Sequence, residues 1–395
     1  MAKKRLLRKF FLILVVASLV GGFMLYMRPL PQIEASQSSL SSLKSEAIVL
    51  PWPTYGQAAV GTTDLGVLAT SNTAMPAPIA SVTKLVTALA VLKQKPLPIG
   101  QQGPSITVTN DDVSVFHSYQ SQGGSVVAVK VGQQISLYQA LQALLIPSAN
   151  NIADMLARWG FGSIDSYRDF ANQFVKELGL KNTHIMDASG FSPQTTSTAH
   201  DLILLGQAAM NEPVIAEVVG QTQASFPTVG SIKSTNWLLG NDGIIGLKTG
   251  NTEEAGGCYL LAAKRIIEGQ TITTLVATMG APDLSSAVND AKALLLASDK
   301  GFEAVTALRA GQVVGSYVLP WGGEIEAVAK DDLSILTWKG SSITKTATLN
   351  PLSLSSDVGA VVGSIRAVNG GSAKSVPVIL KQSVIPPSLA WRIFH

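Results

Sequence analysis

The chain has 395 residues, of which 46% are hydrophobic and 14% charged, with a formal net charge of +3. Positive charges at Lys3, Lys4, Arg5, Arg8 and Lys9 crowd the N-terminal tip, so the remainder is nearly balanced and a nucleic-acid partner is not indicated. Cys258 is the single cysteine, which excludes an internal disulfide, and the four histidines (His117, His184, His200 and His395) lack metal-ligand spacing.

Behind the basic tip (residues 1–9), residues 10–27 are uncharged and apolar. As a helix this stretch extends about 27 Å, close to the thickness of a bilayer's hydrocarbon core. The basic flank places the tip in the cytoplasm and everything after Arg28 outside. The run is longer than the roughly 7–15 apolar residues of a cleavable signal, which favours a transmembrane anchor. Cleavage near Ala35 is the alternative, and both readings export the rest of the chain. Residues 28–50, Ser-rich at 36–45, read as a flexible stalk.

Strands and helices mix between residues 51 and 300. Apolar runs at 57–60 and 65–69 around a Gly-Thr-Thr-Asp turn predict a hairpin. Helices follow at 82–93, 137–145, 152–159 and, amphipathic, 167–178. Strand-like runs occupy 243–248, 258–263 and 271–279, and a last helix 286–297. Cys258 lies in the second of these strands with no basic neighbour to ionise it, so a catalytic thiol is disfavoured. From 301 to 395 the texture turns β-rich, with segments at 312–319, 324–329, 333–338, 343–349, 360–367 and 376–380 between Gly, Pro, Ser and Asp turns. That spacing predicts a small all-β domain. Residues 386–395, with Leu389, Trp391, Ile393 and Phe394, read as strand-end packing or fraying; contact with a membrane surface is the sharper alternative.

Three short segments carry chemistry. In Ser81-Val82-Thr83-Lys84 the following helix is apolar nearly all round and therefore buried. Lys84 lies about one turn from Ser81, and burial disfavours its ammonium form, giving an amine able to take a hydroxyl proton. A serine N-cap with a snorkelling lysine is the plain alternative. Ser148-Ala149-Asn150 follows an apolar helix and is either a cap or a proton relay with an orienting amide. Lys248-Thr249-Gly250 closes the strand 243–248, where a strand edge could add an extended peptide and offer a donor and a charge to a carboxylate. All three in this order resemble the Ser-x-x-Lys, Ser-Asp-Asn and Lys-Thr-Gly set of penicillin-binding proteins and class A β-lactamases.

With these motifs the chain resembles the low-molecular-mass penicillin-binding proteins of the serine D-Ala-D-Ala carboxypeptidase family. The likeness extends to residues 78–90 (PIASVTKLVTALA), 177–184 (ELGLKNTH), 187–191 (DASGF), 197–206 (STAHDLILLG) and 242–252 (DGIIGLKTGNT). It implies an α/β (α+β) fold: a β-lactamase/transpeptidase-like domain at 51–300, with a central antiparallel sheet flanked by helices, then a small all-β domain at 301–395. It also implies that Ser81 is acylated by the penultimate D-alanine of a peptidoglycan pentapeptide stem, releasing the terminal D-alanine, with Lys84 as general base. Ser148 would pass a proton to the leaving amine, and Asn150 would line the cleft. Lys248 and Thr249 would hold the terminal carboxylate, Gly250 would let the substrate backbone come close, and the backbone N–H groups of Ser81 and Asn251 would form the oxyanion hole. The expected partners are peptidoglycan stems, β-lactam antibiotics and the cytoplasmic membrane, with no metal or organic cofactor.

Some residues depart from the family pattern. Asn251 follows Lys-Thr-Gly where an aromatic residue or His is usual, and Ser-Ala-Asn replaces Ser-Gly-Asn. No basic residue occurs in 280–290 (GAPDLSSAVND), where family members often carry an arginine for carboxylate. A D,D-endopeptidase or transpeptidase acting on cross-linked stems is therefore the alternative. A β-lactamase would need a second base from Glu177, Glu212 or Glu217, and a wall-binding scaffold would not need the complete motif set.

Overall fold

The run Cys258-Tyr259-Leu260-Leu261-Ala262-Ala263 is apolar throughout because its strand, Gly256–Ile267, is covered on both faces. The structure, a computed structural model, describes residues 2–71, 75–354 and 356–395. Gly256–Ile267 is second in a five-stranded antiparallel sheet ordered Ile244–Thr252, Gly256–Ile267, Gln270–Ala281, Gln57–Thr62, Gly66–Thr70. Successive side chains point to opposite faces. Cys258, Leu260 and Ala262 join the core of a helical lobe, while Tyr259, Leu261 and Ala263 pack with Leu294, Leu295, Phe302 and Trp338 on the other side.

The helical lobe surrounds Lys84–Gln94, which is buried from Lys84 to Leu92 as its all-round apolar surface requires. Leu137–Leu145, Asn150–Phe161, Ile164–Glu177 and Ala199–Asn211 pack around it. The α+β architecture with a central antiparallel sheet is thus present. Apolar periodicity does not mark the helix Asn110–Ser121, which has a polar surface and is started by its cap. Thr109 accepts from the Asp112 N–H, and Asp112 accepts from the Thr109 N–H.

The C-terminal strands form a seven-stranded antiparallel sheet with a two-stranded ribbon, Phe302–Leu308 and Leu333–Trp338, over the same core. Residues 28–50, expected to be a flexible stalk, are instead woven into this sheet. Ala35–Gln37 pairs with Val313–Val318 at one edge, and Leu43–Lys44 pairs with Ser342–Leu349 at the other. Ile33 is 1% exposed and bridges to Leu352. The pairing itself uses backbone groups, which every residue possesses, so the Ser-rich composition gives little sign of it although Ile33, Leu40 and Leu43 pack on the core.

Two further expectations change. Lys248-Thr249-Gly250 does not end its strand: Ile244–Thr252 runs through the motif, because Lys248, Thr249, Gly250 and Asn251 keep register with Leu260, Tyr259, Cys258 and Gly257. The C-terminus is a short helix, Leu389–Phe394, capped by Ser388, rather than a frayed strand end. It packs on the N-terminal helix Ala2–Tyr26, where the Arg392 guanidinium lies 4.4 Å from the Tyr26 ring centre. That N-terminal helix reaches a mean hydropathy of 2.1 and lies outside the folded cores; Met1 of the basic tip is outside the described residues.

Candidate active site

Ser81 sits in a turn of 3₁₀ helix, Ala80–Thr83, that runs directly into Lys84–Gln94. Ala80 adopts a left-handed φ of +46°, an elbow of the kind that costs roughly 1–3 kcal/mol and gathers at functional sites. About three residues per turn bring Lys84 over Ser81, and Nζ lies 2.7 Å from Oγ. Lys84 is 0% exposed. Its other contacts are Asn150 Oδ1 at 2.7 Å and the Ser189 carbonyl at 2.8 Å.

Those two oxygens can only accept. A neutral amine has two N–H bonds and one lone pair. With both N–H groups given to Asn150 and Ser189, the lone pair faces the Ser81 hydroxyl, the one partner able to donate. Burial holds the Lys84 pKa well below its usual value, and the charge of Lys248 acts in the same direction. Asp187 and Asp154 oppose the shift.

Asn150 opens the helix Asn150–Phe161, and its backbone N–H donates to the Ser125 carbonyl at 2.8 Å. Ser148 is buried with a φ of +66°. Among the described residues no hydrogen bond joins its hydroxyl to Ser81 or Lys84, so the geometry brings Asn150, and not Ser148, onto the amine.

The strand Ile244–Thr252 forms the opposite wall and is the edge of its sheet. A Cβ on Gly250 would lie 2.9 Å from the Ser81 amide nitrogen and 3.1 Å from the Ile79 carbonyl oxygen, so only glycine lets strand and elbow meet. Lys248 is buried, donates to the Thr249 carbonyl at 2.8 Å, and is lowered by that burial to a pKa of about 7. The Thr249 hydroxyl lies 2.7 Å from that of Thr235. Asn251 lines the same cleft as Ser81, a space of about 570 Å³ bounded also by Asn150, Phe191, Glu253 and Glu254.

Several residues at this site carry no role in the sequence reading. The segment Asp187-Ala188-Ser189-Gly190-Phe191 enters there only through resemblance, yet it supplies the carbonyl that holds Lys84. Asp187 ties the loop by accepting from the Ser189 hydroxyl, the Phe191 N–H and the Thr195 hydroxyl. Thr235 had no signal at all, since it meets Thr249 only through folding. Glu177, Glu212 and Glu217 do not line the cleft. Gln173 donates to Glu177, Glu212 caps Pro213–Val219, and Tyr138 donates to Glu217.

A buried amine set on a serine hydroxyl beside an edge strand is the constellation of the penicillin-binding and β-lactamase class. The family model described as D-alanyl-D-alanine carboxypeptidase, peptidase family S11, matches residues 59–282, more than half of the chain, and the chain belongs to that family. The D-alanyl-D-alanine carboxypeptidase DacA of Escherichia coli is 28% identical over 261 residues, 65% of this chain and 63% of the relative. A D-alanyl-D-alanine endopeptidase of Pseudomonas aeruginosa is 33% identical over 204 residues, 49% of this chain and 62% of the relative. The chain thus spans somewhat under two thirds of the length of either relative. Penicillin binding protein 6B from Escherichia coli shares the fold, with a TM-score of 0.63 at 21% identity over 88% of this chain and 100% of that one.

Proposed function

We propose that the protein is a serine-type D-alanyl-D-alanine carboxypeptidase that removes the terminal D-alanine from peptidoglycan pentapeptide stems and is acylated by β-lactams. The observation that carries this reading is the fully buried Lys84 with Nζ 2.7 Å from Ser81 Oγ. Lys84 takes the Ser81 proton as Oγ attacks the penultimate D-alanine carbonyl. The developing oxyanion is held by the backbone N–H groups of Ser81 and Asn251, a term of about 3–4 kcal/mol per donor. The proton gathered on Lys84 goes to the leaving amine of D-alanine, with Ser148 relaying it once bound substrate bridges the gap between them, and Asn150 keeps the lysine in place. Water then hydrolyses the ester on Ser81. Lys248 and Thr249 hold the terminal carboxylate, and Gly250 lets the substrate backbone lie along the edge strand.

The apolar helix Ala2–Tyr26 serves as a membrane anchor, with the cleft on the extracytoplasmic side. Its contact with the C-terminal helix through Arg392 and Tyr26 supports retention over cleavage near Ala35. Residues 51–300 act as the catalytic unit, and the sheet built from 301–395 with 33–44 holds it next to the bilayer.

A second reading, D,D-endopeptidase on cross-linked stems, is favoured by one observation: Glu253 and Glu254 line the cleft, and their carboxylates would repel a free terminal carboxylate. Purified protein is to be incubated with fluorescent penicillin and with a pentapeptide. Labelling that Ser81→Ala abolishes, together with release of D-alanine, supports the main reading. Labelling with cleavage of cross-linked dimers and no D-alanine release supports the second. Absence of any labelling defeats both.

A further inference from the structure

One carboxylate near the site is used by neither reading. Asp154 lies one helical turn beyond Asn150 on Asn150–Phe161 and so shares its face. The cation on its own helix, Arg158, is drawn away to Asp112, 2.7 Å from its Oδ1. What remains to Asp154 is the hydroxyl of Tyr119, on Asn110–Ser121, which donates to Oδ2 at 3.2 Å. The same Tyr119 oxygen lies 3.3 Å from Ser189 Oγ. Ser189 in turn gives its hydroxyl proton to Asp187 and its carbonyl to Lys84. With the two hydroxyl protons given to Asp154 and Asp187, the Tyr119 and Ser189 oxygens meet with no proton between them, so Asp154 reaches the residue that holds the base through a contact of Tyr119 rather than an unbroken hydrogen-bond chain.

We propose that Asp154, acting through Tyr119, is a positioning residue for Lys84: the pair holds the Ser189 carbonyl against the amine, and the Asp154 charge places the acid limb of acylation. The proposal rests on Lys84 being the base. The groups facing Asp154 are Arg158 on its own helix, Asp112 and Tyr119 on Asn110–Ser121, Lys84 on Lys84–Gln94, Tyr167 on Ile164–Glu177, and Asp187 in the loop. Burial raises the Asp154 carboxyl to about 6, against the opposing pull of Arg158. Burial and the Asp154 charge keep the Tyr119 hydroxyl protonated well above its usual range. Ionised Asp154 has only acceptors to offer, so Tyr119 points its proton at it. Protonated Asp154 can donate to Tyr119 instead, and Tyr119 then donates to Ser189. The Tyr119–Ser189 hydrogen bond therefore forms only when Asp154 is protonated.

The sign follows. A negative Asp154 favours the charged form of Lys84, so removing that charge lowers the pH at which the amine becomes neutral. The test is the second-order rate of β-lactam acylation from pH 4.5 to 9 in full-length wild type, Asp154→Asn and Tyr119→Phe. Asp154→Asn keeps an acceptor for Tyr119, and its acid limb should move down by about half a pH unit, or roughly threefold faster acylation on that limb. Tyr119→Phe keeps the charge, so it should lower the plateau while moving the limb less. An Asp154→Asn limb that stays put or moves up, with only plateau and melting temperature reduced in both variants, overturns the proposal. Should Asp154→Asn fail to fold, carboxyl NMR of the wild type decides. An Asp154 still ionised on the acid limb supports the proposal, and one already protonated there overturns it, because it then has no charge with which to place the limb. A wild type that β-lactams do not acylate removes the Lys84 reading and this proposal together; an acylated wild type with an immovable limb removes this proposal alone.

Discussion

Gly190 is packed so closely on Ala80 that a Cβ at residue 190 would fall 1.8 Å from the Ala80 carbonyl oxygen, and its φ is +73°. The elbow that presents Ser81 and the loop that holds Lys84 are therefore pressed together at a point where only a hydrogen atom fits. Gly190→Ala is expected to cost at least about 2 kcal/mol of stability, from the left-handed backbone and the clash together. Chemical denaturation measures it, and an unchanged midpoint counts against the close packing.

At the other wall, Gly250→Ala would place its Cβ 2.9 Å from the Ser81 amide nitrogen and 3.1 Å from the Ala80 Cβ. The strand must back away by a few tenths of an ångström or more. Misplacement on this scale is expected to slow acylation by about 10–100-fold with a smaller loss of stability. Stopped-flow acylation beside a thermal melt separates the two effects.

Lys84→Arg keeps a cation and hydrogen-bond donors but removes the base, because a guanidinium does not give up its proton near neutral pH. Penicillin labelling should fall by about 10²–10⁴-fold, the usual range for a lost general base. Retained labelling would show that some other group takes the Ser81 proton.

Lys248 has a pKa of about 7 in the free protein, lowered by burial. It must be charged to hold a carboxylate, so its contribution is present below pH 7 and fades as pH rises through that value. For a pentapeptide ending in a free carboxylate, kcat/KM is expected to fall on the alkaline side by about tenfold per pH unit. A substrate whose terminus is blocked as an amide should lack this limb. Identical alkaline limbs for both would remove Lys248 from carboxylate binding.

The edge strands at 35–37 and 43–44 make a prediction about truncation. Removing residues 1–28 deletes the anchor and its contact with the exposed C-terminal helix but no part of either folded core, and should give a soluble protein whose melting temperature changes little. Removing 1–50 also strips Ile33 from the C-terminal core and exposes two sheet edges. Burial of one Ile side chain alone is worth about 2–3 kcal/mol, so this protein should melt measurably lower. Equal melting temperatures would return the segment to the status of a stalk.

Much was legible in the chain itself. The pairing of Ser81 with Lys84 needs only a helical turn and an apolar surface around it, and both are properties of neighbouring residues. The same holds for the buried strand through Cys258, whereas the antiparallel sheet around it was implied by resemblance alone. Tertiary structure decided what no local pattern encodes. Ser189 reaches Lys84 across 105 residues of sequence, and it does so with a backbone carbonyl, a group every residue possesses. Thr235 meets Thr249, and short strands from a Ser-rich segment form the edges of a sheet, through partners equally remote or equally anonymous. Periodicity reports which side chains prefer to be buried; it is silent on which backbone groups they will find there, because that depends on how the elements pack.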